Sequence, residues 1–78
     1  MNVFKSSSDS KTVIVLKNVD LIRKSYHTYF RTAPEKKYPQ IVVYIRGKEN
    51  NLTYGEGEEY TRDQEFDALT KALEEYHG

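Results

Sequence analysis

Few residues in this chain are of types that do chemistry. It has no Cys and two His, His27 and His77. A Cys nucleophile, a thiolate metal site and a disulfide framework are therefore excluded. His27 is the one histidine within a predicted element. It falls on the same side of its strand as Arg23 and Arg31, whose charge disfavours the imidazolium. It reads as a solvated strand residue rather than a general base. Two distant histidines do not suggest the three or four ligands of a zinc centre. The acidic run Glu56-Gly57-Glu58-Glu59 lacks the alternating Asp/Asn spacing of a calcium loop, and Gly55 and Gly57 form no phosphate-binding pattern. Asn51-Leu52-Thr53 has the composition of a glycosylation acceptor, but no secretory leader is expected to expose it to that chemistry. No catalytic, metal-binding or cofactor-binding residue is expected.

What remains is contact chemistry. Seven Tyr stand in a chain without Trp, and tyrosine is a large amphipathic residue enriched at interfaces. Tyr29 and Tyr38 lie in or beside a basic segment with Arg23, His27, Arg31, Lys36 and Lys37. Aromatics interleaved with bases can stack on exposed nucleotides while cations hold phosphates. The same set can dock on an acidic protein groove. Tyr44 and Tyr76 are read as residues of the core or its rim, and Tyr26 as packing inward.

Charge separates the chain in two. Residues 1–48 carry ten Lys/Arg against three acids, net +7; residues 49–78 carry nine acids against Arg62 and Lys71, net −7. The formal total of zero hides one basic and one acidic pole, which bears on steering and partner choice rather than on fold. Nine carboxylates would repel phosphate unless they all sit on the far side, so nucleic acid stands second to protein as the expected partner. Asp63, Asp67, Glu74 and Glu75 on the exposed helix side could themselves imitate nucleic acid.

These residues need elements to hold them. Leu, Ile, Val and Phe make 18 of 78 residues, just above the roughly 20% below which a charged chain tends towards disorder. The whole chain, 1–78, is read as one small domain. A short first strand, Val3–Lys5, leads to a polar Ser-rich turn without an apolar anchor. Lys11–Lys17 encloses a β-branched apolar run that suits a strand buried on both faces. Asn18-Val19-Asp20 supplies a turn or bulge. From Leu21 to Arg31 residue types alternate, with Lys24 interrupting the apolar side as edge strands commonly arrange. Thr32–Pro39 is a loop between two prolines. Gln40–Arg46 is the clearest strand, with Ile41, Val43 and Ile45 on one face and Val42 and Tyr44 on the other.

A hairpin turn is expected over 47–51, then a return through Leu52-Thr53-Tyr54 and a flexible acidic connector. The last element is a helix over 61–76. Thr61-Arg62-Asp63-Gln64 fits a capping box, with Asp63 and Glu65 suiting the helix dipole. Phe66, Leu69, Ala72, Leu73 and Tyr76 form its apolar stripe. The fold class is α+β: a three- to five-stranded antiparallel sheet packed on one C-terminal helix.

Val-Ile-Val-Leu-Lys-Asn-Val-Asp-Leu-Ile at 13–22, Ile-Val-Val-Tyr-Ile-Arg-Gly at 41–47 and Tyr-Thr-Arg-Asp-Gln-Glu-Phe-Asp-Ala-Leu at 60–69 resemble a loose set of short bacterial and phage proteins. Those combine an antiparallel β-meander with a C-terminal helix. The resemblance spans 12–76 and rests on a bulge, a turn and a cap, so it implies a fold and no catalytic residue. Small phage-encoded domains of this size, many anti-CRISPR proteins among them, act by occupying a site on a host protein.

The expected function is thus a non-enzymatic protein-binding module, of the kind that phages or mobile elements use to inhibit a host protein. The candidate contacts are Arg23, His27, Tyr29, Arg31, Lys36, Lys37, Tyr38, Asp63, Asp67 and Glu74. A small nucleic-acid-binding protein is the alternative. A cytoplasmic location is expected, and an open edge strand suggests a homodimer.

Overall fold

The computed structural model describes residues 2–7, 12–28 and 36–78. Strands β1 (Val3–Lys5) and β2 (Val13–Val15) pair antiparallel as a two-stranded sheet. A 3-10 turn, Leu16–Asn18, leads into β3 (Val19–Thr28), β4 (Lys37–Ile45) and β5 (Lys48–Thr53), a second antiparallel sheet in the order β3-β4-β5. Helix α1 (Glu59–His77) closes the chain and packs on one face of that meander. The architecture is α+β, antiparallel strands followed by a C-terminal helix, as the residue pattern requires.

Register follows from the alternation in β4. Ile41 and Val43 are fully buried, with Leu52 of β5 opposite Ile41 and Ile22 of β3 opposite Val43. Ile14, Leu16, Val19, Tyr54 and Leu69 complete the core; Phe4, Ile45, Phe66, Ala72 and Leu73 pack on its margin. Phe66, Leu69 and Leu73 of the helical stripe thus share one apolar cluster with Ile14, Ile41, Val43 and Ile45. Asn18-Val19-Asp20 is a bulge as expected: the β3–β4 register shifts between Val19 and Leu21.

Several boundaries differ from the sequence reading, each for a local reason. The run around Val13–Val15 is not buried on both faces. Only Ile14 points inward, while Val13 and Val15 are 53% and 38% exposed on a short hairpin. The turn expected over 47–51 closes earlier, at Arg46-Gly47, with Ile45 pairing directly with Lys48. Both turn residues have positive φ, 52° and 80°. A two-residue turn of this hand matches strand twist, at the cost of holding a non-glycine residue left-handed. The bulge supports it: Gly47 N–H donates to Asp20 Oδ2 (3.0 Å) and Arg46 Nη2 to Asn18 Oδ1 (3.3 Å).

Pro39 lies inside β4 rather than in a loop, opposite Tyr26. It sits level with the end of β5, where Tyr54 N–H donates to its carbonyl (2.9 Å), so only one ladder donor is lost. The helix does not start at a Thr61 capping box. Glu58 is its N-cap residue and makes no side-chain cap bond. The acidic connector is likewise a built turn: Gly55 N–H donates to Glu58 Oε2 (3.0 Å) and Glu58 N–H to the Gly55 carbonyl (3.0 Å). Among the described residues no helix is long and apolar enough to cross a membrane.

Candidate functional site

Period-two geometry in the meander places Leu21, Arg23, Ser25 and His27 of β3, Tyr38, Gln40, Val42 and Tyr44 of β4, and Glu49, Asn51 and Thr53 of β5 on the face opposite α1. One helix covers one face only. The opposite face is lined by polar groups and aromatics around Val42, which is 1% exposed. Leu21 is 58% exposed there. Arg23 donates from Nε to Tyr44 Oη (3.2 Å), lies 5.9 Å from that ring's centroid, and reaches Glu49 at 3.9 Å. The Tyr44 hydroxyl, chiefly, holds the Arg23 pKa above its ordinary value. Gln40 Nε2 donates to Thr53 Oγ1 (3.4 Å).

Of the sequence candidates, Arg23, His27 and Tyr38 share this open face, His27 and Tyr38 as direct cross-strand partners. Lys37 pairs with Thr28 at the same end of the sheet but on the other side, and Lys36 precedes it; both are exposed. Tyr29 and Arg31 lie outside the described residues. Asp67 and Glu74 are exposed on α1 with Glu59 and Glu75, forming the acidic side of the helix. Asp63 is engaged instead. It accepts from Arg62 Nε (2.7 Å) and pairs with Lys24 (3.6 Å), and the Arg62 bond is the main cause of its lowered pKa.

Two polar sites under α1 escaped the sequence reading. Arg62 is 5% exposed; its Nη1 donates to the carbonyls of Ser25 (2.7 Å) and Gln40 (3.3 Å), and its guanidinium lies 5.0 Å from the Tyr26 ring centroid. Tyr26, expected inward, is 47% exposed because Arg62 takes the space beneath it. The second site is Glu65. Its Oε1 accepts from Tyr54 Oη (2.9 Å), Ser6 Oγ (3.1 Å) and Ser7 N–H (3.1 Å), and its Oε2 from Ser7 Oγ. Burial, above all, raises the Tyr54 pKa to about 12. Ser6 and Ser7 thus have an anchor, a polar one.

A signal for both was present. Arg62 and Glu65 stand four residues before Phe66 and Leu69, so they continue the apolar stripe towards the N-terminus. A charged residue on a buried stripe must find partners, and among the described residues no buried side-chain nitrogen or oxygen lacks one.

A groove of about 330 Å³ runs between Asn2, Leu16 and the Ala72, Glu75 and Tyr76 end of α1. It brings no nucleophile and base together. Among the described residues no three His, Cys, Asp or Glu cluster to hold a metal ion. The chain matches no protein-family model, no curated protein and no solved structure, so the open face and its charge are the observations that bear on function.

Proposed function

We propose that this protein is a non-enzymatic protein-binding module that works by occupying a surface of a host protein, in the manner of small phage or mobile-element inhibitors. One observation carries the reading: the uncovered face of the meander, with exposed Leu21 among Arg23, His27, Tyr38, Tyr44, Asn51 and Thr53. Tyrosine and Arg around an apolar contact, with short polar side chains that adapt their hydrogen bonds, is the composition of protein-recognition surfaces. The exposed acids of α1 offer a second, oppositely charged contact.

Nucleic acid is disfavoured by how the charges are interspersed: Glu49 stands beside Arg23 and Asp63 beside Lys24, so a continuous run of phosphates meets a carboxylate next to each of these cations. The test has two arms. Labelled single-stranded and duplex oligonucleotides are titrated at low and moderate salt; micromolar binding that falls steeply with salt and is lost in Arg23→Glu or Lys37→Glu overturns the reading. Immobilised protein is then compared with a Leu21→Asp, Tyr38→Asp variant of matched stability. A host protein held by the parent and released by the variant supports the reading. Equal retention by both overturns it.

A further inference from the structure

We infer that β3 accepts an extended acidic segment of a partner protein as an added strand along its outer edge. The inference rests on the protein-binding reading above and specifies its mode. The strand order leaves β3 at one side of the meander, and its outward groups follow from the ladder. Tyr54 N–H donates to the Pro39 carbonyl, so Pro39 turns its backbone towards β5 and Gln40 turns towards β3, onto Ser25. Arg62 Nη1 reaches both the Ser25 and the Gln40 carbonyl, as it must if both lie between the two strands. Ser25 and Arg23 therefore bond β4, and alternation turns the backbone of Ile22, Lys24, Tyr26 and Thr28 outward.

The bulge between Val19 and Leu21 interrupts only the start of this strand. From Ile22 to Thr28 the register is unbroken, an edge of about 20 Å. Charge selects the occupant. Arg23 and Lys24 stand in mid-strand, with Lys37 opposite Thr28. The one acid of β3, Asp20, lies before this stretch and accepts from Gly47. The Arg23–Glu49 and Lys24–Asp63 pairs are 3.9 and 3.6 Å long with about half of each side chain in solvent, so a partner's carboxylates can replace them at small cost. Leu21 on one side and Tyr26 on the other, 58% and 47% exposed, receive apolar side chains on both faces of the new strand.

A second copy of β3 fits this edge poorly. A two-fold pairing over Ile22–Thr28 centres on Ser25 and sets Arg23 opposite His27 and Lys24 opposite Tyr26, so a second copy brings no carboxylate to either cation.

The test uses the full isotope-labelled chain and an end-blocked peptide of about eight residues with a central Glu-Glu pair flanked by Val, which sets one carboxylate on each face of the added strand, with amide exchange followed by NMR. At saturation, exchange at Ile22, Lys24 and Tyr26 should slow about tenfold or more, while Arg23 and Ser25, already in the ladder, change little. N-methylation of the peptide at alternate residues should abolish binding in one parity and leave it within about twofold in the other, since only one parity faces β3. Arg23→Glu and Lys24→Glu should each weaken binding about 5- to 10-fold at low salt.

Equal tolerance of both N-methylated peptides, or binding without added protection on β3, overturns strand addition and leaves the protein-binding reading standing. No binding at about 1 mM peptide overturns it as well. Protection of the same amides in free protein, rising with concentration alongside a dimer mass, assigns the edge to a second copy and also overturns it.

Discussion

The two halves of α1 dock on the same core by different physics. Its C-terminal half presents Leu69, Ala72 and Leu73 to the apolar cluster, with Leu69 fully buried. That contact scales with area and has little directional demand. The N-terminal half instead sends Arg62 to two strand carbonyls and Glu65 to Tyr54, Ser6 and Ser7. Those bonds are short and directional, and they join the helix to β3, β4, the end of β5 and the turn after β1. Hydrophobic burial supplies the reason for the helix to lie down; the polar half sets where along the sheet it lies.

The largest effect should come from the apolar half. Leu69→Ala is expected to cost about 2–5 kcal/mol, much of the total stability of so small a domain. Urea unfolding that leaves the midpoint unchanged would falsify the packing of α1 on β4. Next comes Arg62→Ala, expected to cost about 2–4 kcal/mol through lost packing and lost bonds to Ser25 and Gln40. Arg62→Met sharpens the contrast: both carbonyls sit in the β3–β4 ladder and Asp63 is half-exposed, so an apolar side chain of similar length should recover more than half of that loss. Recovery of nothing would show that the directional bonds, not the volume, hold this end.

Tyr54→Phe should cost about 1 kcal/mol, because Glu65 keeps Ser6 and Ser7 as donors. It should also change the alkaline limb. The Tyr54 pKa rises from an unfolded value near 10 to about 12 on folding, so the stability it contributes is intact below pH 10 and is lost as pH rises towards 12. Stability measured from pH 9 to 12 should fall less steeply in the Phe variant. The smallest effect belongs to Asp63→Asn. The lowered carboxylate pKa contributes stability above the ordinary value of 3.8 that is lost as pH falls through the folded value. The variant should therefore be slightly less stable than the parent at pH 7 and lose less stability as pH falls below 4, so that the two converge in acid; identical acid limbs would remove Asp63 from the Arg62 site.

The fold was legible wherever one residue type repeats with one period. Ile41, Val43 and Ile45 alternate, and Phe66, Leu69, Ala72 and Leu73 recur at helical spacing, so sheet, helix and their contact could be read directly. Ends were read less well. A Thr61 capping box competes with a start at Glu59 that only the Gly55–Glu58 turn makes available. At the hairpin, Arg46 is a poor left-handed residue in isolation, and the turn closes there because Asn18 and Asp20, brought alongside by the bulge, bond it. Of the candidate contacts, residue type alone marked Arg23, His27 and Tyr38, while their meeting on one face depended on a register no local pattern states.

By itself, then, the sequence determined the class of structure and the separation of charge, because both are sums over residue types and periods. It also excluded cysteine chemistry outright. Tertiary structure alone decided which carbonyls and hydroxyls Arg62 and Glu65 reach, and that Tyr26 is pushed outward. The physical reason is the same in each case. A charged side chain is buried when carbonyls and hydroxyls from distant segments converge on it, and 11 to 59 residues separate these partners along the chain.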